Sequence, residues 1–559
     1  MLVFIFCPLL LLAPVLQGVW DFRTQFIFEA AVLFTGGFWL FRETMSGRPP
    51  AFLYEKRGFP LLCALGFSFV SSRLSPVSGL IAPEWWNFLT GVFILALATT
   101  LTPAERKNAD LALRAAAWFI VLLNFYQAYV VAVRYAGDPA SPLPAALTCL
   151  TASLPNANTL ALFAIMLIPL AVVWRDFFLL GALVIVLIGT LSIAAVIGLL
   201  AAACFYAADN VKLADFKKNW RLFAVIAVVA AAAISQLELA SVSDRLLWWG
   251  SAFRMFLDRP LLGFGPGAFT YVYPAFHQPD AARLAATYVH NYYLEFLAEN
   301  GLIASVFWGW AVLTRLKSIK GLKKYALIAC LVHSGADFGL AVPAIFFIFC
   351  YLLSEPRSFG PVTSDLNTGR KSTVEVGGPK GLGEPRSFGP GTTDKYTGRK
   401  SIALAGDPKG LGEPSPSSPG AVRPEKKTVV ALAALGLACF AALSGIFASR
   451  LKLESLHTLA QDALQRGDYS KAEAEYQEAE RLAPENPRVP GLLGRIRIRE
   501  GAEKKDKGRF FSAAVDLERA VLLDPYNAGA WTDLKRLYGA AGEPRLLEGL
   551  QKRKAEVFK

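Results

Sequence analysis

Charged residues are scarce in this sequence. Asp, Glu, Lys and Arg make up 18% of its 559 residues, whereas a soluble globular protein carries about 25%. The shortage is uneven, because residues 1–353 hold 24 basic and 18 acidic residues (12% charged) and residues 449–559 hold 21 and 18 (35% charged). This contrast excludes a single soluble enzyme, a disordered chain and a small disulfide scaffold. It indicates a long membrane-embedded part followed by a water-soluble tail.

The sequence also lacks any Cys/Cys or Cys/His spacing typical of a metal site. Its seven cysteines lie within or beside apolar runs, and residues 449–559 contain none, which argues against metal ligation and against a disulfide framework. The net charge of +13 is spread over many loops and forms no single basic face, which argues against nucleic-acid binding. We expect no metal, no cofactor and no nucleic-acid partner.

What the sequence does contain is a series of apolar runs, several of which approach the roughly 20 residues that a helix needs to cross a bilayer. We predict an all-α, polytopic membrane helix bundle with about twelve or thirteen spans. The first run lacks a basic n-region and a small-residue cleavage site, so we interpret it as a retained helix. The predicted spans are 2–19, 25–41, 59–72, 86–102, 111–133, 157–174, 177–191, 193–208, 222–238, 292–313, 325–338, 340–353 and 428–448.

Basic residues are concentrated in every second loop. With the N-terminus inside, the positive-inside rule places these basic loops in the cytoplasm. The same register places the long loop 239–291 outside, and the last span, 428–448, then sends the charged tail outside as well. We therefore predict a multi-pass protein of a bacterial cytoplasmic membrane, with the loop and the tail both extracytoplasmic, or periplasmic. The basic loops carry Arg42, Arg48, Lys56, Arg57, Arg106, Lys107, Arg175, Lys212, Lys217, Lys218, Arg221, Arg315, Lys317, Lys320, Lys323 and Lys324.

Residues 354–427 form a Gly/Pro-rich linker that contains a tandem duplication. The string Glu-Pro-Arg-Ser-Phe-Gly-Pro at Glu355 recurs 29 residues later at Glu384. A repeat of this period occurs in solenoids, but these units have no apolar face to stack. We interpret the segment as a flexible linker.

Residues 449–559 have the pattern of paired antiparallel helices. Gly467, Tyr469, Ala472, Tyr476, Ala479 and Pro484 have the spacing of interlocking small and large residues, and the spacing returns 41 residues later from Gly508 to Pro525. The pattern resembles the tetratricopeptide repeat, whose period is 34 residues, with an insertion near Lys504–Lys507. A partial third unit starts near Trp531. Such repeats bind proteins, so we expect a soluble helical-hairpin domain with a protein partner.

Most of the unusual residues lie in and next to the loop 239–291. Arg245, Trp248 or Trp249, and Ala252 recur at helical spacing, which predicts an amphipathic helix on the membrane surface. The string Gly263-x-Gly265-x-Gly267 follows a helix and a proline and not a strand, so we interpret it as tight turns and not as a nucleotide-binding loop. His290-Asn291 stands at the start of the next apolar span.

The complete string resembles the O-antigen ligase and polymerase superfamily of polytopic membrane glycosyltransferases. It reads Arg…Trp…Pro-Leu-Leu-Gly-x-Gly-x-Gly…His-Asn-x-x-Leu-Glu…Glu-x-Gly-Leu. Earlier, Asn156 and Asn158 resemble the family's Asn-x-Asn turn, and later His333 and Asp337, followed by Pro343, resemble its His…Asp helix. The resemblance covers approximately residues 1–353.

The resemblance implies transfer of a glycan from undecaprenyl pyrophosphate, as donor substrate, to an acceptor at the outer face of the membrane. The acceptor is a lipid A core, a protein or another glycan. Arg245 is expected to compensate the pyrophosphate charge, because arginine offers a permanent charge and a two-pronged donor set without a metal. His290 is expected to be the base for the acceptor hydroxyl. The further candidates are Arg254, Asn291, Glu295, Glu299, Asn156, Asn158, His333 and Asp337.

In one place the sequence departs from the family pattern. Many members carry Ser-Arg-Gly at the end of a preceding span, whereas this chain has Leu191-Ser192-Ile193, so Ile193 occupies the place of a phosphate-binding arginine. Polymerisation of lipid-linked repeat units remains an alternative with the same residues, and so does a non-catalytic, membrane-anchored repeat scaffold. A transporter fits less well, because transporters place ionisable groups in the middle of the membrane.

Overall fold

The computed structural model describes residues 2–46, 58–135, 150–210, 239–277, 286–354 and 426–558. These residues are helical with connecting turns, and no strand occurs among them. The all-α prediction is therefore confirmed for this part of the chain. The predicted span 222–238 and nearly all of the predicted linker 354–427 lie outside the described residues.

Thirteen α-helices are described in the first 353 residues, which we call the membrane domain. They are α1 (Val3–Val15), α2 (Phe22–Met45), α3 (Phe59–Arg73), α4 (Ser78–Ala98), α5 (Pro103–Arg134), α6 (Ala157–Val173), α7 (Phe177–Gly189), α8 (Ile193–Asn210), α9 (Leu239–Asp258), α10 (Phe269–Phe276), α11 (Tyr292–Ser318), α12 (Leu322–His333) and α13 (Pro343–Leu353).

Four helical segments of the described chain are long and apolar enough to cross a membrane. They are Arg23–Met45, Pro103–Arg134, Ile193–Asn210 and Tyr292–Ser318, and five shorter apolar helices accompany them. The chain is thus a membrane protein with several transmembrane helices. The larger number of twelve or thirteen spans remains a prediction, although each predicted span within the described residues falls on a helix.

Two predicted spans end earlier than expected. The first helix stops at Val15, and a short 3-10 turn follows in which Gly18 has φ +67°. The run 325–338 is helical only as far as His333, because Gly335, Gly339 and Pro343 follow at short intervals and disfavour a continuous helix. The turn after His333 is what places Asp337 beside the start of α11.

The centre of the membrane domain is α13. All of its residues are buried, as expected for a helix that is apolar on every side. Its Phe346 ring lies 6.1 Å from the Phe88 ring of α4 and 6.0 Å from the Trp308 ring of α11. The helices that carry the candidate site thus pack around one apolar axis.

The turn after α9 is inserted into a break in α11. The amides of Phe264 and Gly265 donate to the carbonyls of Ala298 (3.1 Å) and Glu299 (2.7 Å), and the Leu302 amide donates to the Pro260 carbonyl (2.8 Å). Gly263, Gly265 and Gly267 all have positive φ, which confirms the prediction of tight turns. We call this contact between residues 260–265 and 298–303 the glycine joint.

The last predicted span and the first helix of the tail form one continuous helix, α14 (Lys426–Gln465). Five further helices follow as hairpins with short turns. They are α15 (Tyr469–Leu482), α16 (Arg488–Lys504), α17 (Lys507–Leu523), α18 (Ala528–Ala541) and α19 (Pro544–Val557).

The predicted interlocking residues form the tail's core. Ala472, Tyr476 and Ala479 are buried in the first hairpin, and Ala513 and Ala520 are buried in the second. Both α16 and α17 are 17 residues long, whereas α15 has 14. The second unit is the α16–α17 hairpin. Its extra residues therefore lengthen the end of α16 and the start of α17, which meet at Lys504–Lys507. A complete third hairpin, α18–α19, replaces the partial unit that we expected, and the tetratricopeptide assignment remains a prediction.

The tail packs on its own membrane domain. The Arg488 guanidinium donates to the Tyr271 hydroxyl (2.7 Å), and the Tyr526 ring lies edge-on to the Phe264 ring at 6.4 Å. Arg23 of α2 donates to the Thr458 hydroxyl (2.9 Å). The tail therefore lies at the end of the helix bundle that carries the glycine joint.

The glycine joint predicts a strong effect of Gly301→Ala. Gly301 has φ +71°, and a Cβ atom there would lie 2.3 Å from the Leu261 carbonyl oxygen. A residue with a side chain costs of order 1–3 kcal/mol in such a backbone conformation, and the clash adds to this cost. We expect a lower midpoint of thermal unfolding in detergent. Gly309→Ala is the matched control, because a Cβ atom at Gly309 meets nothing within 4 Å. Equal midpoints for the two variants would contradict this role.

Asp524 predicts a pH dependence of the tail's stability. Burial raises the pKa of Asp524 to about 6, whereas an unfolded aspartate has a pKa of about 3.9. The folded tail therefore binds more protons, and its stability falls as the pH rises from about 4 to about 6. Asp524→Asn keeps the oxygen that accepts from the Tyr526 amide.

We expect Asp524→Asn to raise the unfolding midpoint of the tail at pH 7.5 by a few degrees, and the gain to shrink at pH 5. Glu548→Gln, at an exposed position of α19, serves as the control. A gain that is the same at both pH values would show that ionisation is not its cause.

Candidate active site

His290 lies directly before α11 in a backbone conformation that is uncommon for a residue with a side chain. Its φ is +55°, and such conformations concentrate at functional sites. The following residue, Asn291, caps the helix, and its side-chain oxygen accepts from the amides of Tyr293 and Leu294 at 3.1 Å each. The cap holds the start of α11 and thereby the position of the imidazole.

The imidazole of His290 is paired with the carboxylate of Asp337. The Nδ1 atom lies 3.1 Å from the Oδ1 atom, and the His290 side chain is 27% exposed whereas Asp337 is completely buried. An ionised carboxylate only accepts hydrogen bonds, so an ionised Asp337 takes a proton from Nδ1, and Nε2 of the neutral imidazole tautomer is then the acceptor. The structure thus joins two residues that are 47 positions apart in the sequence.

Two aromatic rings fix the plane of the His290 ring. The Trp248 ring of α9 stacks on it at 5.0 Å with an interplanar angle of 22°, and the Phe338 ring meets it edge-on at 4.9 Å. Trp248 was predicted to lie on a membrane-surface helix, and the observed helix α9 confirms the helical spacing. No sequence pattern pointed to Phe338, because its position depends on the turn after α12.

Arg245 lies one helical turn before Trp248, so both side chains occupy the same face of α9. Its guanidinium is close enough to His333 for the two groups to interact electrostatically. Arg254 lies nine positions after Arg245, which is about two and a half turns at 100° per residue and leaves a net offset of half a turn. Arg254 is exposed and belongs to the opposite face of α9, away from Trp248.

His333 and Asp337 are buried and incompletely paired. Both are 0% exposed, and within the described part of the chain neither ring nitrogen of His333 and only one carboxylate oxygen of Asp337 has a hydrogen-bond partner. Buried polar atoms usually have partners, so these atoms mark a place where a bound group or water completes the site.

Glu295 and Glu299 lie on α11 and hold backbone amides. The Oε2 atom of Glu295 accepts from the Val289 amide (2.8 Å), and the Oε1 atom of Glu299 accepts from the Phe269 amide (2.9 Å). Both side chains are buried. Glu295 thus holds the segment directly before His290, and Glu299 holds the start of α10 after the glycine turn.

The remaining predicted residues lie at the starts of other helices. Asn156 caps α6 and accepts from the Thr159 amide at 2.8 Å, and Asn158 is half-buried in the first turn of α6. Ile193 is the first residue of α8 and offers no charge there. The Asn156 side chain is thus bonded within its own helix, and none of the described contacts joins it to His290.

A cavity of about 790 Å³ lies beside this cluster, and sequence reasoning missed it. Its lining includes Trp20, Glu84, Asn87 and Tyr288 of the membrane domain and Arg488 of the tail. Glu84 offered one signal, as an acidic residue directly before the apolar run 86–102. The other lining residues are brought together by the fold alone.

The sequence comparisons point to the same region. A family model described as O-Antigen ligase matches residues 145–309, which is less than half of the chain and includes Arg245, the glycine turn and His290. Neither the curated proteins nor the solved structures contain a match. The family match supports a resemblance of this chain to the O-antigen ligase superfamily, with a membrane function of the ligase or polymerase type, over the part that carries Arg245 and His290.

Proposed function

We propose that the chain is a membrane glycosyltransferase that moves an oligo- or polysaccharide from undecaprenyl pyrophosphate to an acceptor hydroxyl at the outer face of the cytoplasmic membrane. The observation that carries the proposal is the His290–Asp337 pair, stacked on Trp248 next to the helix face that bears Arg245. This arrangement combines a base with a permanent cation. The family match supports the same reaction class.

The proposed chemistry follows from these groups. The Nε2 atom of His290 accepts the proton of the acceptor hydroxyl, and Asp337 stabilises the imidazolium that forms. The acceptor oxygen forms a bond to the anomeric carbon of the glycan, while the bond from that carbon to the pyrophosphate oxygen breaks. Undecaprenyl pyrophosphate leaves with the electron pair, and Arg245 compensates the charge on its oxygens.

Ile193 occupies the position at which many members of the superfamily have an arginine near the pyrophosphate, so this chain lacks one cation there. In the proposal, Arg245 of α9 compensates the pyrophosphate charge, and Arg254 is the second candidate for this role. Arg254 faces away from Trp248, so it reaches the same pyrophosphate only from the opposite side of α9. A comparison of the two arginines therefore tests which of them acts.

The polymerase alternative uses the same residues, and only the acceptor differs. Purified full-length protein with undecaprenyl-pyrophosphate glycan is offered lipid, protein and glycan acceptors, and a second lipid-linked repeat unit, in separate reactions. Products on the first three acceptors identify a ligase. Products only on the lipid-linked unit identify a polymerase, and the absence of product from all four contradicts both.

We expect His290→Ala and Arg245→Ala each to lower the transfer rate by about 100-fold or more, the scale of general acid–base and charge stabilisation. Arg254→Ala tests the second arginine in parallel. His457→Ala, in the tail, is the control for loss of a histidine. Transfer by His290→Ala at a rate near that of the unchanged protein would show that His290 is not the base.

Asp337→Asn tests the positioning of His290. The amide keeps the size of the carboxylate but loses its charge, so it no longer holds the proton on Nδ1 or stabilises the imidazolium. We expect kcat to fall by about two orders of magnitude with little change in KM. Asp176→Asn is the control, because Asp176 is also a buried carboxylate and is paired with Arg114 at 2.6 Å. Equal losses in the two variants would point to a general structural effect.

A further inference from the structure

The cavity of about 790 Å³ has walls from two parts of the chain. One wall belongs to the membrane domain and is formed by the start of α4, the turn before α10 and the start of α11. The other is the turn between α15 and α16 of the tail. This turn lies directly on α4, since a Cβ atom at Gly79 would be 2.0 Å from the Glu485 carbonyl oxygen.

Aromatic rings form one side of the cavity. The Trp20 and Tyr288 rings lie 5.4 Å apart at 45°, and Tyr271 contributes a third ring at the tail contact. Aromatic faces offer broad apolar area with little loss of conformational entropy on binding. They suit the apolar C–H faces of pyranose rings.

The α4 part of the lining carries a buried polar atom without a partner among the described residues. Asn87 is 6% exposed and lines the cavity, and its side-chain oxygen has no hydrogen-bond partner among the described residues. A buried acceptor of this kind is costly unless a ligand or water satisfies it. Glu84 lies one helical turn before Asn87, so both side chains project from one face of α4. Together they place a carboxyl group and an unpartnered amide oxygen in the cavity lining.

The charges of the cavity argue against an anionic occupant. The carboxyl groups of Glu84, Glu295 and Glu299 belong to the cavity lining. The lining contains three arginines, Arg73, Arg450 and Arg488. Arg450 interacts with Glu29, and Arg488 is bonded to the Tyr271 hydroxyl. The lining as a whole holds five glutamates and three arginines, so it has more carboxyl groups than cations. A neutral polyhydroxylated ligand fits it better than a phosphate or a fatty-acid headgroup.

The cavity lies next to the His290 site but is separate from it. Tyr288 stacks on Phe338 at 4.4 Å with an interplanar angle of 11°, and Phe338 meets the His290 ring edge-on at 4.9 Å. One layer of aromatic rings thus separates the cavity from the imidazole.

We propose that this cavity binds neutral sugar units of a glycan and that the turn between α15 and α16 of the tail is one of its walls. The assignment of the glycan's reacting end to His290 rests on the proposed function. The sugar units belong either to the donor glycan or to an acceptor glycan, and the two sources present the same chemistry to the cavity.

Direct binding tests the proposal without the transfer reaction. Purified full-length protein in detergent is applied to an array of immobilised bacterial oligosaccharides. We expect the unchanged protein to bind a defined class of neutral glycans. We expect Glu84→Gln and Asn87→Leu each to bind them at least about tenfold more weakly, as expected for the loss of one buried hydrogen bond. Glu84→Gln conserves the shape of the side chain, so it remains informative if Asn87→Leu does not fold.

Glu543→Gln, at an exposed position of the tail outside the cavity, is the matched control and is expected to bind as the unchanged protein does. Unfolding midpoints of the variants exclude a loss of folding as the cause. The absence of binding to any glycan, or equal binding by Glu84→Gln and the unchanged protein, would overturn the proposal.

Steady-state kinetics distinguish the two sources of the sugar units. If the cavity holds the acceptor glycan, Glu84→Gln raises KM for the acceptor, and if it holds the donor glycan, the same variant raises KM for the donor. Glycan binding without any transfer contradicts the proposed function and leaves the cavity assignment intact. Transfer with unchanged KM values and unchanged binding in Glu84→Gln contradicts the cavity assignment and leaves the proposed function intact.

Discussion

The close approach of two backbone segments at Gly263 and Gly301 determines how the candidate site is assembled. At this glycine joint a turn after α9 occupies the break in α11, and direct amide–carbonyl bonds replace helical ones. Only glycine fits at both positions, because a Cβ atom at either would lie 2.3 Å from a carbonyl oxygen of the other segment. The joint fixes α9, which bears Arg245 and Trp248, relative to α11, whose start holds His290.

The same joint relates the site to the tail. Phe264 and Tyr271 lie in and after the glycine turn, and these are the residues that contact Tyr526 and Arg488 of the tail. The glycine turn therefore contacts α11, the helix that follows His290, on one side and the hairpins of the tail on the other. The buried carboxyl group of Glu299 adds a further contact to the segment after this turn, since it accepts from the Phe269 amide. The structure thus places the charged C-terminal hairpins against the candidate site.

The helices and much of the site could be predicted because they depend on local patterns. Apolar runs gave the helices of the membrane domain, the spacing of Arg245, Trp248 and Ala252 gave α9, and small residues gave the interlocking core of the tail. Phe338 and the third hairpin could not be predicted in the same way. Phe338 contributes only because α12 ends at His333, and the third hairpin lacks the spacing that identified the first two.

The sequence by itself determined which residues are able to do chemistry: a few arginines and one histidine next to glycine-rich turns, in a chain whose charge is concentrated in its tail. Tertiary structure decided which of them meet. It brought Asp337 to His290 across 47 residues and formed a cavity whose lining includes Glu84, Asn87 and Arg488. Long-range contacts of this kind depend on helix packing and on backbone breaks, and neither hydrophobic periodicity nor local spacing encodes them.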